Sequence, residues 1–277
     1  MEERTAGTAG ADSVLLDESE SGGKEMKECI EYAQSLLDQL PSLSKQKKSR
    51  FLGLIDKIKK RAESPYLHTA LIGDFSTGKS TFINVLLDRE LLKAAWYATT
   101  AVPTVIYCHV GEQVRVMAET YDGGKYVLDH PQKRRQLEEK LQRQIPLDEK
   151  DALALLTTSN DLADQIKRIR IRVPDIKELE HICLIDTPGV NPGAEEARSH
   201  VQKTRDVLRE YADTTIILFQ ATQVYSASFQ VFLKENAEHF MNDAVFVITM
   251  MDLIYEDQRD NLIEFSDQRK SRRTGRI

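Results

Sequence analysis

Cysteine and tryptophan are scarce in this chain, which has three cysteines and one tryptophan among its 277 residues. Cys29, Cys108 and Cys183 show no C-x-x-C spacing, and they lie in stretches with helix-like or strand-like apolar patterns. These features argue against a disulfide framework and against a cysteine-based metal site. They predict reduced thiols buried in the core of a cytoplasmic protein.

Long apolar runs are also missing. No stretch of sequence approaches the roughly 20 apolar residues of a membrane-spanning helix, and the acidic N-terminus shows no hydrophobic signal region. The six histidines are scattered and form no pair at ligand spacing. We therefore expect a cytoplasmic location, with peripheral contact at a membrane as the alternative, and no histidine-based metal site.

Positive charge is in deficit, because 38 basic residues face 44 acidic ones and the formal net charge is −6. Domains that bind nucleic acid usually carry an excess of basic residues, so we expect no nucleic acid partner. Hydrophobic residues make up 41% of the chain, which is ordinary for a globular protein. The length suits one large α/β domain with an appended helical element.

The strongest signal is a glycine-rich motif at 73–81 that matches G-x-x-x-x-G-K-[ST]. A short apolar stretch precedes it like a buried strand, and apolar residues follow it with helical spacing. In this context backbone N–H groups and the helix dipole face one anion. Lys79 would then contact the β- and γ-phosphates, and the Ser80 hydroxyl would bind Mg²⁺. The predicted nucleotide-binding residues of this loop are Gly73, Asp74, Phe75, Ser76, Thr77, Gly78, Lys79, Ser80 and Thr81.

A second apolar strand, 182–185, leads into the sequence DTPG at 186–189. An aspartate at the tip of a strand beside a phosphate loop can hold Mg²⁺ through water, and the Gly189 N–H can detect the γ-phosphate. Taken alone, the tetrapeptide is also compatible with an ordinary turn. Thr100, between the two motifs, is expected to close over Mg²⁺ when the γ-phosphate is present. Ser80, Thr100 and Asp186 are thus the predicted metal ligands.

A further apolar stretch, 244–248, leads into Thr249, Met250, Met251 and Asp252. GTPases usually have [NT]-K-x-D here, where the carboxylate pairs with the guanine edge and the lysine stem packs over the base. Asp252 retains the carboxylate, and Thr249 fits the first position. Met250 offers apolar packing without an ammonium group. We therefore predict guanine preference with weak binding.

These motifs resemble the GTPase domain of the dynamin superfamily, closest in style to its bacterial dynamin-like and mitofusin-like branch. The resemblance covers about residues 67–252. It implies a GTPase that binds GTP and GDP with Mg²⁺ and self-associates through its GTPase domain. It also implies membrane remodelling, with lipid bound by regions outside this chain. The stretches that carry it are GDFSTGKSTFINVLLDRELL, TTAVPTVI, LIDTPGVN, ATQVYSASFQVFLKE and VFVITMMD.

Two departures from related GTPases affect the expected mechanism. Val190 stands where Ras-like enzymes carry a glutamine that orients the attacking water. Phe75 stands where many dynamins carry glutamine. Neither side chain can hydrogen-bond water, so catalysis would depend on Ser76, Thr100, backbone groups or a second subunit. The predicted catalytic residues are Ser76, Lys79 and Thr100.

The alternation of strands and helices predicts an α/β P-loop GTPase fold, with a mainly parallel, doubly wound sheet and helices on both faces. We expect a disordered N-terminus at 1–23, a helical neck-like segment at 24–64, a GTPase domain at 65–265 and a basic tail at 266–277. The helices of the neck-like segment are amphipathic, which fits packing on the GTPase domain and a neck bundle equally well.

The region from 103 to 173 is predicted to contain strands at 105–110, 114–118 and 126–128 and one charged helix at 132–144. The sequence RIRIRV at 168–173 alternates cleanly. It predicts a half-exposed strand with isoleucines in the core and arginines in water.

The end of the chain predicts a GTPase domain that is incomplete, because a doubly wound sheet of this family needs another strand and helix after the guanine motif. Two functions remain open. One is a Mg²⁺-dependent GTPase coupled to pairing of GTPase domains. The other is a non-enzymatic or weakly active nucleotide-binding regulatory module. A phosphate-loop ATPase or kinase is disfavoured by DTPG and by Asp252.

Overall fold

A computed structural model gives the architecture of the chain, which divides into two compact units, Met1–Pro65 and Tyr66–Ile277. The predicted N-terminal segment 1–23, the last part of the predicted GTPase domain at 255–265 and the predicted basic tail lie outside the residues that the structure describes. The described residues are 27–40, 42–62, 64–93, 100–108, 113–174, 176–190, 195–222, 227–237 and 244–254.

Two helices form the described part of the first unit. Residues 27–38 are helical (α1), and α2 spans Lys45–Ala62. Ile30, Leu37 and Ile55 are buried in a small shared core. Because so few side chains are buried here, the two helices keep apolar surface exposed to solvent.

The second unit is built on an eight-stranded sheet of described residues, with the strand order β4-β3-β5-β2-β6-β1-β7-β8. Strands β6, β1, β7 and β8 are parallel neighbours. Strand β2 is parallel to β5 and antiparallel to β6, and β3 is antiparallel to β5 and β4. The strands are β1 (Leu67–Gly73), β2 (Thr104–Cys108), β3 (Arg115–Thr120), β4 (Lys125–Val127), β5 (Ile166–Val173), β6 (Ile182–Asp186), β7 (Thr214–Gln220) and β8 (Ala244–Thr249).

Helices pack on both faces of this sheet, as predicted. Because successive strand residues point to opposite faces, Leu71 enters one core and Ile72 the other. Leu71 shares its core with Ile83, and Ile72 shares its core with Phe229. The helices are α3 (Lys79–Leu86), α4 (Pro131–Leu141), α5 (Glu149–Thr158), α6 (Asn160–Ala163), α7 (Glu195–Glu210) and α8 (Ala227–Glu235).

The region from 103 to 173 contains α5 and α6 in addition to the one charged helix that was predicted there. The Asp148 side chain begins α5 by accepting a hydrogen bond from the Asp151 N–H at 2.9 Å. This is an N-cap, which a sequence can reveal. The predicted helix at 132–144 also ends earlier, because Gln142 adopts a left-handed conformation with φ of 50°.

Two expectations about burial are wrong. Arg168 is buried rather than exposed, because Glu119 accepts hydrogen bonds from its Nε and Nη2 at 2.8 and 2.9 Å. Its guanidinium also lies 4.4 Å from the ring centroid of Tyr211. Arg172 is exposed as expected. Cys29 is exposed, whereas the other two cysteines are buried. The burial of Arg168 depends on a partner 49 residues away in the sequence.

Candidate functional site

The carboxyl ends of three parallel strands meet at one edge of the sheet. Strand β1 ends at Gly73, β6 at Asp186 and β8 at Thr249. Ligands of doubly wound sheets bind at this edge. The three motifs predicted from sequence are therefore adjacent in space.

The phosphate loop, residues 73–81, joins β1 to α3 and is curled by its own contacts. Ser76 and Gly78 have positive φ angles of 58° and 81°. At Gly78 this conformation is favourable because glycine has no Cβ. The Thr77 hydroxyl donates to Asp74 O at 3.0 Å. A Cβ on Gly73 would lie 2.4 Å from Thr77 Oγ1, so only glycine fits there. The sequence thus imposes the curl that exposes backbone N–H groups to an anion.

Lys79 lies within this curl and is only 7% exposed. Its Nζ donates to Gly73 O at 3.1 Å and to Asp74 O at 3.0 Å. Burial lowers the pKa of Lys79, and the carboxylates of Asp186 and Asp74 partly offset this. A lysine ammonium has three N–H donors. Two of them anchor the side chain, and the third can serve a bound phosphate.

The Asp186 carboxylate accepts hydrogen bonds from two hydroxyl groups that come from different parts of the chain. Its Oδ2 accepts from Ser80 Oγ at 2.9 Å and from Thr100 Oγ1 at 3.0 Å. Its Oδ1 is buried without a hydrogen-bond partner among the described residues. Burial raises the pKa of Asp186, and Lys79 and the two hydroxyls oppose that rise. The structure thus brings the three predicted metal ligands together around one carboxylate.

These groups fit Mg²⁺. Hydroxyl and carboxylate oxygens are the hard ligands that this ion takes, usually with retained waters and nucleotide phosphates. A buried carboxylate oxygen left without a partner costs about 1–3 kcal/mol or more. A cation with its waters would remove that cost, which is the observation in favour of a metal here.

The DTPG loop lies directly against the phosphate loop. The Val190 N–H donates to Gly73 O at 3.3 Å, and the Thr187 hydroxyl donates to Leu71 O at 2.6 Å. Val190 is buried in the core on one face of the sheet. Its side chain therefore cannot act on a water molecule at the phosphates, in agreement with its apolar character.

Gly189 marks the closest approach of the two loops. A Cβ built on Gly189 would lie 3.2 Å from Phe75 Cα and 3.5 Å from Lys79 Nζ. The first distance is tighter than ordinary van der Waals contact. Any side chain here would push the two loops apart beside the lysine ammonium.

Replacing Gly189 with alanine should therefore weaken GTP binding about tenfold or more, which corresponds to about 1.4 kcal/mol. GDP affinity should fall less than GTP affinity, because the expected contact of residue 189 is with the γ-phosphate. Titration calorimetry with GDP and with a non-hydrolysable GTP analogue measures both values. Gly53→Ala is the control, because a Cβ there meets nothing within 4 Å. Equal losses for the two nucleotides would contradict this assignment.

The predicted base-reading motif reaches the phosphate loop through Thr249. Its hydroxyl lies 2.8 Å from Thr77 O and 3.1 Å from Phe219 O. One hydroxyl proton serves one of these carbonyls at a time, so Thr249 ties the end of β8 to the loop and to β7. Met250 then turns the chain with φ of 58° into a short 3-10 helix, Met251–Leu253. This helix carries Asp252, which is exposed and open to a ligand.

The structure also shows residues near the site that the motifs do not include. Lys203 of α7 is buried, and its Nζ donates to Ala163 O at 2.8 Å and to Ala101 O at 3.3 Å. Thr204, also buried, donates to Pro188 O at 3.0 Å. No local sequence pattern distinguishes this lysine from a solvent-exposed helical residue. Its role depends on segments far away in the chain.

Comparison with protein families decides the assignment of the domain. The model of the dynamin family matches residues 69–251. The chain belongs to the dynamin family. This finding, together with the mainly parallel sheet flanked by helices, confirms the predicted resemblance and the predicted α/β P-loop GTPase fold. The domain is thus a nucleotide-binding GTPase domain of the dynamin type.

Curated relatives are distant and longer than this chain. Dynamin-like protein 2 of Campylobacter jejuni subsp. jejuni serotype O:23/36 (strain 81-176) is 22% identical over 237 residues, covering 78% of this chain and 34% of the relative. An uncharacterized protein in the xynA 3' region of Caldicellulosiruptor sp. (strain Rt8B.4) is 23% identical over 237 residues, covering 84% and 52%. The chain therefore spans about a third to a half of the length of these relatives.

Similar solved structures include bacterial dynamins and Era. One chain of an oligomerised bacterial dynamin pair, described as sensing and tethering membranes at long range, shows 19% identity and a TM-score of 0.39. That match covers 78% of this chain and 37% of the other. A variant of Aquifex aeolicus Era bound to GDP.AlF4⁻ shows 16% identity and a TM-score of 0.39, with 73% and 46% coverage. In the described part of this chain, no helix has the length and apolarity to cross a membrane.

Proposed function

We propose that this dynamin-family domain binds GTP together with Mg²⁺ and hydrolyses the γ-phosphate. The observation that carries the proposal is the meeting of Ser80 Oγ and Thr100 Oγ1 at Asp186 Oδ2, at 2.9 and 3.0 Å. It occurs next to a buried lysine whose ammonium is held by the phosphate loop. A glycine-rich turn formed by chance would not require this arrangement of donors and carboxylate.

Each group has a distinct task in the proposed reaction. The loop N–H groups and Lys79 bind the phosphates and balance their negative charge. Ser80, Thr100 and Asp186 would hold Mg²⁺, which supplies positive charge to the phosphate oxygens. A water oxygen attacks the γ-phosphorus, the bond to the bridging oxygen of the β-phosphate breaks, and GDP and phosphate form. Because charge builds on oxygens during this step, fixed cations and N–H donors lower its barrier.

Among the residues that the structure describes, few side chains are candidates for orienting the attacking water. Val190 is buried and Phe75 is apolar, so neither can hold the water. Ser76 is exposed at the rim of the loop with φ of 58°, and Gly189 offers a backbone N–H. We propose that Ser76 and Thr100 act with such backbone groups, and that a second GTPase domain completes the site by pairing with this one.

Family membership is the basis for proposing a wider role. We propose that self-association couples nucleotide state to membrane remodelling, with lipid contacted by regions outside this chain and the protein peripheral at a membrane. The exposed apolar surface of α1 and α2 suits these helices for a neck bundle. We also propose the domain limits given by the sequence: a disordered N-terminus at 1–23, a neck-like segment at 24–64, a GTPase domain at 65–265 and a basic tail at 266–277.

Phosphate release over a series of protein concentrations tests this function. The purified 277-residue chain is mixed with GTP and Mg²⁺, and the rate per protein molecule is measured. We expect turnover that rises with protein concentration and disappears with EDTA. Lys79→Met provides the background. Turnover no higher than this background would overturn the proposed hydrolysis and favour a non-enzymatic regulatory module.

Thr100→Ala should leave GDP affinity within about twofold of the unmodified protein, because Thr100 is expected to engage the metal only when the γ-phosphate is bound. GTP hydrolysis should fall about 100-fold, by analogy with the loss of one group that stabilises developing charge. Single-turnover kinetics and GDP titration measure the two effects. Thr100→Ser keeps the hydroxyl and should restore most of the rate. Equal loss of GDP and GTP affinity would show that Thr100 is only structural.

A further inference from the structure

Two adjacent residues of α7 contact the DTPG loop and the segment after Thr100, which the proposed function assigns to the γ-phosphate. Thr204 Oγ1 donates to Pro188 O at 3.0 Å and so contacts the DTPG loop. Lys203 Nζ donates at 3.3 Å to Ala101 O, the carbonyl directly after Thr100. One helix therefore contacts the loop that carries Asp186 and the segment that carries Thr100.

The segment after Thr100 is held from a second side by α5. The N–H groups of Ala101 and Val102 both donate to Thr157 O, at 2.7 and 3.2 Å. Ala101 and Val102 are fully buried, so the peptide between α5 and Lys203 has a defined position. That position sets where the Thr100 hydroxyl lies relative to Asp186 Oδ2, 3.0 Å away.

A lysine is an unexpected side chain at this point of α7. Lys203 is 8% exposed, and burial of an ammonium is unfavourable unless it is hydrogen-bonded. An apolar residue would fill the same space without that cost. The ammonium satisfies two backbone carbonyls, Ala101 O and Ala163 O, which lie in different parts of the chain. Its hydrogen bonds connect α7 to the segment after Thr100 and to the end of α6. Apolar packing is not directional and would not hold these segments at defined positions.

We propose that Lys203 is a positioning residue that couples α7 to Thr100, so that the Thr100 hydroxyl reaches the metal-binding carboxylate only when α7 is in place. Together with Thr204, it makes the two loops move as one with the helix. This inference rests on the proposed GTPase function. It assigns the regulation of that site to α7, the helix whose Thr204 contacts the DTPG loop.

The variant Lys203→Met tests the coupling, because it keeps the length of the side chain and removes the ammonium. We expect GDP affinity within about twofold and a fall in single-turnover GTP hydrolysis of about tenfold. In a Thr100→Ala background, Lys203→Met should cause no further loss, because it acts through Thr100. Arg205→Met is the matched control: it removes a cation from the same helix, where Arg205 pairs with Glu235, and should leave the rate unchanged.

Amide hydrogen exchange supplies a readout that does not depend on turnover. Exchange at the Ala101 and Val102 N–H groups should become faster in Lys203→Met and stay unchanged in Arg205→Met. Unchanged exchange, or a rate loss fully additive with Thr100→Ala, would overturn the inference. So would a proportional loss of GDP affinity, GTP affinity and thermal stability, which a purely structural role produces. If the unmodified protein does not hydrolyse GTP, the proposed hydrolysis is overturned. Amide exchange at Ala101 then still decides whether Lys203 holds the segment after Thr100.

Discussion

Lys79→Met should abolish nucleotide binding, raising the Kd for both GDP and GTP at least about 100-fold, or about 2.8 kcal/mol. The expected size follows from the loss of charge-assisted hydrogen bonds to phosphate, each worth about 1.5–3 kcal/mol. The ammonium is already fixed by Gly73 O and Asp74 O at 3.1 and 3.0 Å. Its binding to phosphate therefore costs little further ordering. Fluorescence titration with a labelled GDP measures the effect directly.

Lys150→Met is a suitable control for this experiment, because Lys150 is an exposed lysine paired with Glu90. It should change neither affinity nor stability appreciably, since exposed ion pairs contribute about 0–1 kcal/mol. Circular dichroism should show that Lys79→Met is folded. Binding by folded Lys79→Met within about threefold of the unmodified protein, less than about 1 kcal/mol, would refute the phosphate-loop assignment.

Asp252→Asn should shift base preference from guanine to xanthine. The Asp252 carboxylate can accept two hydrogen bonds from guanine that adenine cannot offer, whereas the asparagine amide can donate to the ring oxygen that replaces the guanine amino group. A hydrogen bond to a charged group contributes about 1.5–3 kcal/mol, so we expect a change in preference of about 10- to 100-fold. Competition of GTP, XTP and ATP against a fluorescent GDP analogue measures it.

The same titration tests the effect of Met250. Without a lysine over the base, GTP should be preferred to ATP yet bind in the micromolar range or more weakly, about −8 kcal/mol. Asp129→Asn is the control for the Asp252 variant, because Asp129 is an exposed carboxylate next to the β4 edge of the sheet. Indifference to the base before mutation, or an unchanged preference in Asp252→Asn, would show that this motif does not read guanine.

Local sequence patterns were sufficient to predict the strands and the loop that surround the site. Strands β1, β6 and β8 are short apolar runs, and the phosphate loop follows β1 with glycines at the two positions that need them. Strand order was harder to predict, because β2 runs antiparallel to β6 and parallel to β5. Such pairing depends on long-range contacts between strands rather than on the residues within one strand.

Side-chain contacts between residues distant in sequence were also not predictable. Motifs identified Ser80, Thr100 and Asp186, and the structure brings them together. The burial of Arg168 depends on Glu119, which lies 49 residues away. The contacts of Lys203 reach 40 and 102 residues back along the chain. A single sequence contains no local signal for such pairs, because each partner alone resembles an ordinary exposed residue.

Titration calorimetry with a non-hydrolysable GTP analogue tests the proposed binding of GTP with Mg²⁺. We predict binding of one nucleotide per chain, tighter with Mg²⁺ than with EDTA, and displaced by GDP but not by an equal concentration of ATP. Asp186→Asn should remove the Mg²⁺ dependence and leave the fold intact. Binding that is absent, or that is unaffected by both Mg²⁺ and the Asp186 substitution, would contradict a GTP and Mg²⁺ site at this edge of the sheet.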